Sequence, residues 1–160
     1  MQWPLRSLAF GSVLAILTPA ANLAAQATDP IIGTWKLNLA KSTYSPGPPP
    51  KSLTVTFEAA GAGLKITSSG VDAQGNPTAT SYTGQFDGKD YPVTGSPGYD
   101  SQSLKRINAS TVQSTRKKAG KVVQTAMRVV SKDGKTYTTT TDGTNAAGKK
   151  IHDVAVFEKQ

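Results

Sequence analysis

The stretch Ile31-Ile32-Gly33-Thr34-Trp35-Lys36-Leu37-Asn38-Leu39 decides how the rest of the chain is read. Trp35, Leu37 and Leu39 alternate with Thr34, Lys36 and Asn38, the period-2 pattern of a strand with one dry face. At the far end, Ile151 to Lys159 is strand-like as well. If the two ends pair, the sheet between them closes on itself, and closure removes the exposed edges that an open sheet must protect.

What lies between is consistent with that. Leu53, Val55 and Phe57 alternate with Thr54, Thr56 and Glu58; Leu64 to Val71 continues the pattern. Thr78 to Asp87 carries Tyr82 and Phe86, and Lys89 to Thr94 carries Tyr91, with Pro92 confining it to an edge or bulge. Ser101 to Ile107, Thr111 to Lys117, Lys121 to Ser131, Lys135 to Thr141 and Lys149 to Lys159 follow. Asp87-Gly88 and Asp133-Gly134 are two-residue hairpin signals. Ser45-Pro46-Gly47-Pro48-Pro49-Pro50 excludes helix and central strand and reads as a stiff connector. No segment after the first 27 residues has helical periodicity. The spacing predicts an all-β domain: an antiparallel up-and-down β-barrel of about 8–10 strands, with a β-sandwich as the alternative.

Residues 1–27 read as a cleaved signal peptide. Arg6 supplies the positive charge, Leu8 to Leu17 an apolar run too short to span a bilayer, and Ala25-Gln26-Ala27 the cleavage site. Cleavage after Ala27 leaves residues 28–160 as the barrel domain, secreted or periplasmic, without a stable membrane anchor and monomeric. Without Arg6 that domain holds 17 basic and 10 acidic residues. Residues 111–160 alone hold ten Lys and Arg against four acids, with Arg116-Lys117-Lys118 the densest run. That run reads as a solvated hairpin tip or as a contact for anionic glycan or lipid headgroups; nucleic acid is not expected as a partner.

Catalytic chemistry finds little to stand on. There is no cysteine, so no disulfide and no thiolate nucleophile or ligand. His152 is the only histidine, which excludes multi-histidine metal sites. Asp87 precedes a glycine, as does Asp142, where aspartate makes turns; pairing of Asp87 with Asp90 or of Asp142 with Asp153 is the carboxylate alternative. No phosphate loop, dinucleotide fingerprint or zinc spacing is present. The chain reads as a non-enzymatic protein with no catalytic residue, no metal and no cofactor.

Gly33-Thr34-Trp35 at one end and Val156-Phe157-Glu158-Lys159 at the other resemble the two ends of a lipocalin or fatty-acid-binding-protein barrel. The chain is also similar to uncharacterised secreted bacterial proteins described as lipocalin-like. The resemblance implies that Trp35 plugs one end of the barrel, with Lys159 or Lys150 over its ring. It implies a lumen for a small hydrophobic or amphipathic ligand, lined by Leu37, Phe57, Tyr82, Phe86, Met127, Tyr137 and Phe157, with Leu39, Val55, Leu64 and Ile66 on the same faces. Two departures stand out. The proline-rich segment replaces the helical lid of fatty-acid-binding proteins, and Ala155 and Phe157 stand where their carboxylate-gripping Arg and Tyr would be. In haem-binding relatives a last-strand histidine ligates iron, a role that only His152 is placed to take.

Overall fold

Strands joined by short turns can only run antiparallel to their neighbours, and the computed structural model, which describes residues 29–160, has ten of them. They are β1 (Gly33–Ser45), β2 (Ser52–Ala60), β3 (Gly63–Val71), β4 (Pro77–Gln85), β5 (Tyr91–Pro92), β6 (Ser101–Asn108), β7 (Thr111–Lys118), β8 (Lys121–Val130), β9 (Thr136–Thr144) and β10 (Lys150–Lys159). The sheet order is β4-β3-β2-β1-β10-β9-β8-β7-β6-β5, so going round the barrel every junction joins strands consecutive in the chain as a hairpin except at two places. β1 pairs with β10, as the two ends of the sequence imply, with Trp35 opposite Lys159 and Leu37 opposite Phe157.

The second place is the seam between β4 and the short β5. There Ser81 and Thr94 exchange backbone hydrogen bonds of 3.1 and 3.0 Å, and Gly88 N donates to Leu104 O at 3.0 Å. Pro92 keeps β5 to two residues because it has no N–H for the ladder. Gly95 lets the chain leave the seam: its φ is 80°, and a Cβ there would sit 1.9 Å from Ala79 O. The result is a nearly closed, up-and-down antiparallel barrel.

β1 runs past the expected Leu39 to Ser45, and it does so through an irregularity. Asn38 faces Val156 while Thr43 faces Val154, so Leu39–Ser42 bulge out opposite Ala155. Ser42 Oγ donates to Asn38 O at 2.6 Å and accepts from Val156 N at 2.9 Å, filling the interrupted ladder. The simple alternation fails at that point. Leu39 is 41% exposed on the outside rather than inward, and Tyr44 takes the next inward position.

The interior is unequal along the barrel axis. The end holding the start of β1 is packed solid by Trp35, Phe57, Leu64, Leu104, Val112, Val130, Tyr137 and Phe157, all buried. Asp29–Ile32 folds across this end. Ile31 is buried beneath it, Ile32 N donates to Asp29 O, and Arg106 reaches the Asp29 carboxylate. Inward residues towards the other ends of the same strands, among them Leu53, Ser68, Thr80, Thr139 and Ile151, are only half-buried.

Candidate functional site

The half-buried inward residues enclose a cavity of about 370 Å3. Its wall has two chemical faces. Leu53, Val55, Phe57 and Ile66 from β2 and β3, with Tyr137 and Phe157 from β9 and β10, form an apolar and aromatic face. Tyr137 stacks on Phe157 with centroids 4.5 Å apart and meets Phe57 edge-on at 5.8 Å. Gln102, Arg116, Gln124 and Arg128 from β6, β7 and β8 form a polar, cationic face, with Tyr82 and Tyr99 alongside.

The polar face arises from the parity of β8. Its inward positions are Gln124, Ala126, Arg128 and Val130, while Val122 and Val129 are exposed outside. Met127, expected in the lumen, therefore points outward. Cross-strand pairing decides this. Val130 lies opposite Tyr137 and Met127 opposite Thr140, and partners directly opposite share a face. Once Tyr137 is inside, Met127 is outside and Arg128 inside. Alternation along β8 alone does not decide the face, because β8 carries apolar residues on both. The hairpin register counted back from Asp133-Gly134 was the signal that would have found it.

Arg116 is the second residue that the sequence reading missed. Expected at a solvated hairpin tip, it turns into the lumen. Its Nε donates to Gln102 Oε1 at 3.0 Å and its Nη1 to Gln124 Oε1 at 2.8 Å, with the guanidinium 4.9 Å from the Tyr99 ring centroid. The two amides are oriented in turn: Gln102 Nε2 donates to Tyr82 Oη at 2.7 Å and Gln124 Nε2 to Thr144 O at 2.9 Å. Lys117 points the other way and pairs with Asp90 at 2.6 Å. The basic run is thus divided, leaving Lys118 as its exposed member.

Arg128 is held differently. It is 9% exposed and lies over the Phe57 ring, 4.6 Å from its centroid, and 5.9 Å from that of Tyr137. Among the described residues no atom accepts a hydrogen bond from its buried Nε or Nη1.

The remaining expected lining residues divide in the same way. Phe57, Tyr82, Tyr137 and Phe157 lie on the cavity wall. Leu37 is buried but lies in the packed end, outside the wall. Phe86 also lies outside the wall and packs under Arg106, 3.9 Å from the guanidinium carbon to the ring centroid. Trp35 is fully buried, its Nε1 donating to Ile31 O at 2.7 Å, with Lys159 Nζ 5.0 Å from the ring centroid. Gly33 makes that lysine's path possible: a Cβ there would stand 3.0 Å from Lys159 Cε.

His152 is on the outer surface, its Nδ1 2.6 Å from Asp142 Oδ1, both side chains about 60% exposed. It cannot reach the lumen from there, so a haem bound inside would not find it. Asp142 and Asp153 take opposite faces of the sheet. Asp153 lines the cavity mouth beside Tyr44 and accepts from Ser45 N at 3.1 Å. Burial raises its carboxyl above the ordinary value, the Ser45 amide and His152 partly offsetting this. Asp87 serves its turn, accepting from Lys89 N and Tyr91 Oη. No group of three or more His, Asp and Glu that could hold a metal exists among the described residues.

Burial also keeps Tyr44, Tyr82 and Tyr137 neutral. Tyr44 is pushed up to about 12 by burial, with the Asp153 charge adding to it. Tyr82 is likewise pushed up to about 12, again by burial, although the Arg128 and Arg116 charges pull it back. Tyr137 is raised further for the same reason. Since the fold holds these protons more tightly than the open chain, their contribution is complete below the ordinary value of 10.0. It is lost as pH rises through about 12. As pH rises, denaturant midpoints are expected to fall across that alkaline window, and Tyr82→Phe is expected to shrink the fall. An equally steep fall in the variant would mean that Tyr82 is not one of the groups responsible.

No protein-family model and no curated protein matches the chain. Among solved structures, Rv2717c from M. tuberculosis is similar at 15% identity, over 86% of this chain and 97% of that one, with a TM-score of 0.54. Zebrafish ileal bile acid-binding protein complexed with cholic acid is 10% identical over 82% and 99%, with a TM-score of 0.47. EF1p2_mFAP2b bound to DFHBI is 12% identical over 85% and 98%, with a TM-score of 0.45. The likeness to Rv2717c is one of fold, shared over nearly the whole barrel.

Proposed function

We propose that this protein is a non-enzymatic, lipocalin-like carrier that takes one small amphipathic molecule into its barrel. The observation that carries the reading is the unequal interior: one half packed solid, the other a cavity of about 370 Å3 with an apolar and a polar face. That volume lies in the range of sites for small organic ligands, roughly 300–1,000 Å3. A molecule with an apolar body and a polar end matches both faces at once. A barrel used only as a scaffold would gain stability by filling the space. The leader-like residues 1–27, which lie outside the described residues, support placing the carrier in the periplasm or the medium.

The reading is tested by incubating the protein with a total lipid and metabolite extract, reisolating it and identifying co-purifying small molecules by mass spectrometry. Leu53→Trp, which puts an indole into the mouth of the cavity, is expected to cut recovery at least tenfold while the protein stays folded. Protein that comes back empty from every extract, or a Leu53→Trp variant that retains its cargo in full, would overturn lumenal binding.

A further inference from the structure

The cavity contains a charge that nothing among the described residues answers. Arginine is ionised at every attainable pH and cannot shed its proton to suit a dry site. Burying it is costly unless its donors are met. The two arginines of the polar face differ in this respect. Arg116 is met by the carbonyl oxygens of Gln102 and Gln124. Those amides are committed on their nitrogen side as well, to Tyr82 Oη and Thr144 O, so neither can turn to serve Arg128.

Arg128 has only ring faces beneath it, which fix where its guanidinium lies but accept no hydrogen bond. Its Nε and Nη1 are buried and unpartnered among the described residues. Among the described residues the only acid on the cavity wall is Asp153, on β10 at the mouth, where its carboxylate accepts from Ser45 N.

The geometry points to an oxyanion site at Arg128: the ligand of this barrel is an organic anion, its carboxylate or sulfonate on the Arg128 guanidinium and its apolar body against Phe57, Tyr137 and Phe157. This rests on lumenal binding as proposed above and goes further by naming the ligand's charge and the residue that reads it. The site is on β8, not on the last strand, where Ala155 and Phe157 offer no cation. A planar guanidinium suits a planar or trigonal oxyanion, and the bond is strengthened by the low dielectric around it. Arg116 adds a second positive charge on the same face without giving up its own partners.

Two fluorescent probes with the same ring system separate the readings: 1-anilinonaphthalene-8-sulfonate, which is anionic, and N-phenyl-1-naphthylamine, which lacks the sulfonate. The anionic probe is expected to bind with one-to-one stoichiometry and at least tenfold more tightly than the neutral one. Arg128→Met is expected to weaken the anionic probe roughly 10- to 100-fold and leave the neutral probe within about twofold. Arg128→Gln, which keeps a polar side chain, serves if the Met variant does not fold, with the same loss expected. Inorganic sulfate at equal concentration is expected not to displace the probe, because a free anion lacks the apolar body.

Equal affinity for both probes in the wild type, or anionic binding unchanged in the Arg128 variants, overturns the oxyanion site while leaving lumenal binding standing. Displacement by sulfate at equal concentration overturns the amphiphile in favour of a free-anion site. Binding of neither probe overturns lumenal binding and the oxyanion site with it.

Discussion

Trp35→Ala is expected to lower the unfolding free energy by about 3–5 kcal/mol, the range for deleting a large buried aromatic side chain. For a domain whose whole stability is of order 5–15 kcal/mol, that removes much of the margin. The reason lies in how many elements meet at this ring. Tyr137 packs edge-on at 5.0 Å, and Lys159 covers it from the strand that closes the barrel. Its N–H holds Ile31 O, and with it the Asp29–Ile32 segment that seals this end. Trp35→Phe keeps most of the apolar contact but leaves the buried Ile31 carbonyl unmet, and should cost about 1–3 kcal/mol. Urea unfolding of the two variants separates packing from the hydrogen bond. Hydrogen exchange at the Ile32 amide, which donates to Asp29 O, reports whether the seal has lifted. A loss below about 1 kcal/mol for Trp35→Ala would mean that the closed end holds without the ring.

Arg128→Met should move stability the other way. In the ligand-free protein the variant is expected to gain about 1–3 kcal/mol, the cost of leaving a buried donor unmet. Methionine retains a flexible apolar stem against Phe57 and Tyr137, and the repulsion from Arg116 disappears. What is lost is the attraction between guanidinium and ring faces, about 2 kcal/mol or more when desolvated; the sign therefore depends on the unmet donors outweighing the rings. A rise in the unfolding midpoint together with lost affinity for an organic anion would mark Arg128 as a residue kept for binding at the expense of stability. A midpoint that falls by the equivalent of more than about 1 kcal/mol would show that the rings alone hold the guanidinium comfortably.

The fold was legible because its evidence is local and repeated. Alternation within each segment, Asp-Gly turns between segments and strand-like ends imply about 8–10 antiparallel strands closing through the first and the last, and the sheet observed has ten and closes through β1 and β10. Even the short β5 followed from Pro92, since a missing N–H is a property of the residue and not of its surroundings.

The cavity wall was legible only where one face of a strand was unambiguously apolar, as at Phe57, Tyr82, Tyr137 and Phe157. Leu39, Met127 and Arg116 show why the rest was not. A bulge after Asn38 turns Leu39 outward, and nothing in its own composition announces it. Met127 sits on a strand with apolar residues on both faces, so the side that turns inward is set by the partner strand through Val130 and Tyr137.

Arg116 belongs by sequence to a basic run at a turn, and only the placing of Gln102 and Gln124 on neighbouring strands makes an inward arginine tolerable. By itself, then, the sequence determined the architecture, since alternation and turns act between residues adjacent in the chain. Only the tertiary structure decided the chemistry of the lumen. Hydrogen-bond partners for buried charges come from strands distant in sequence, and register, fixed across strands, decides which face each side chain takes.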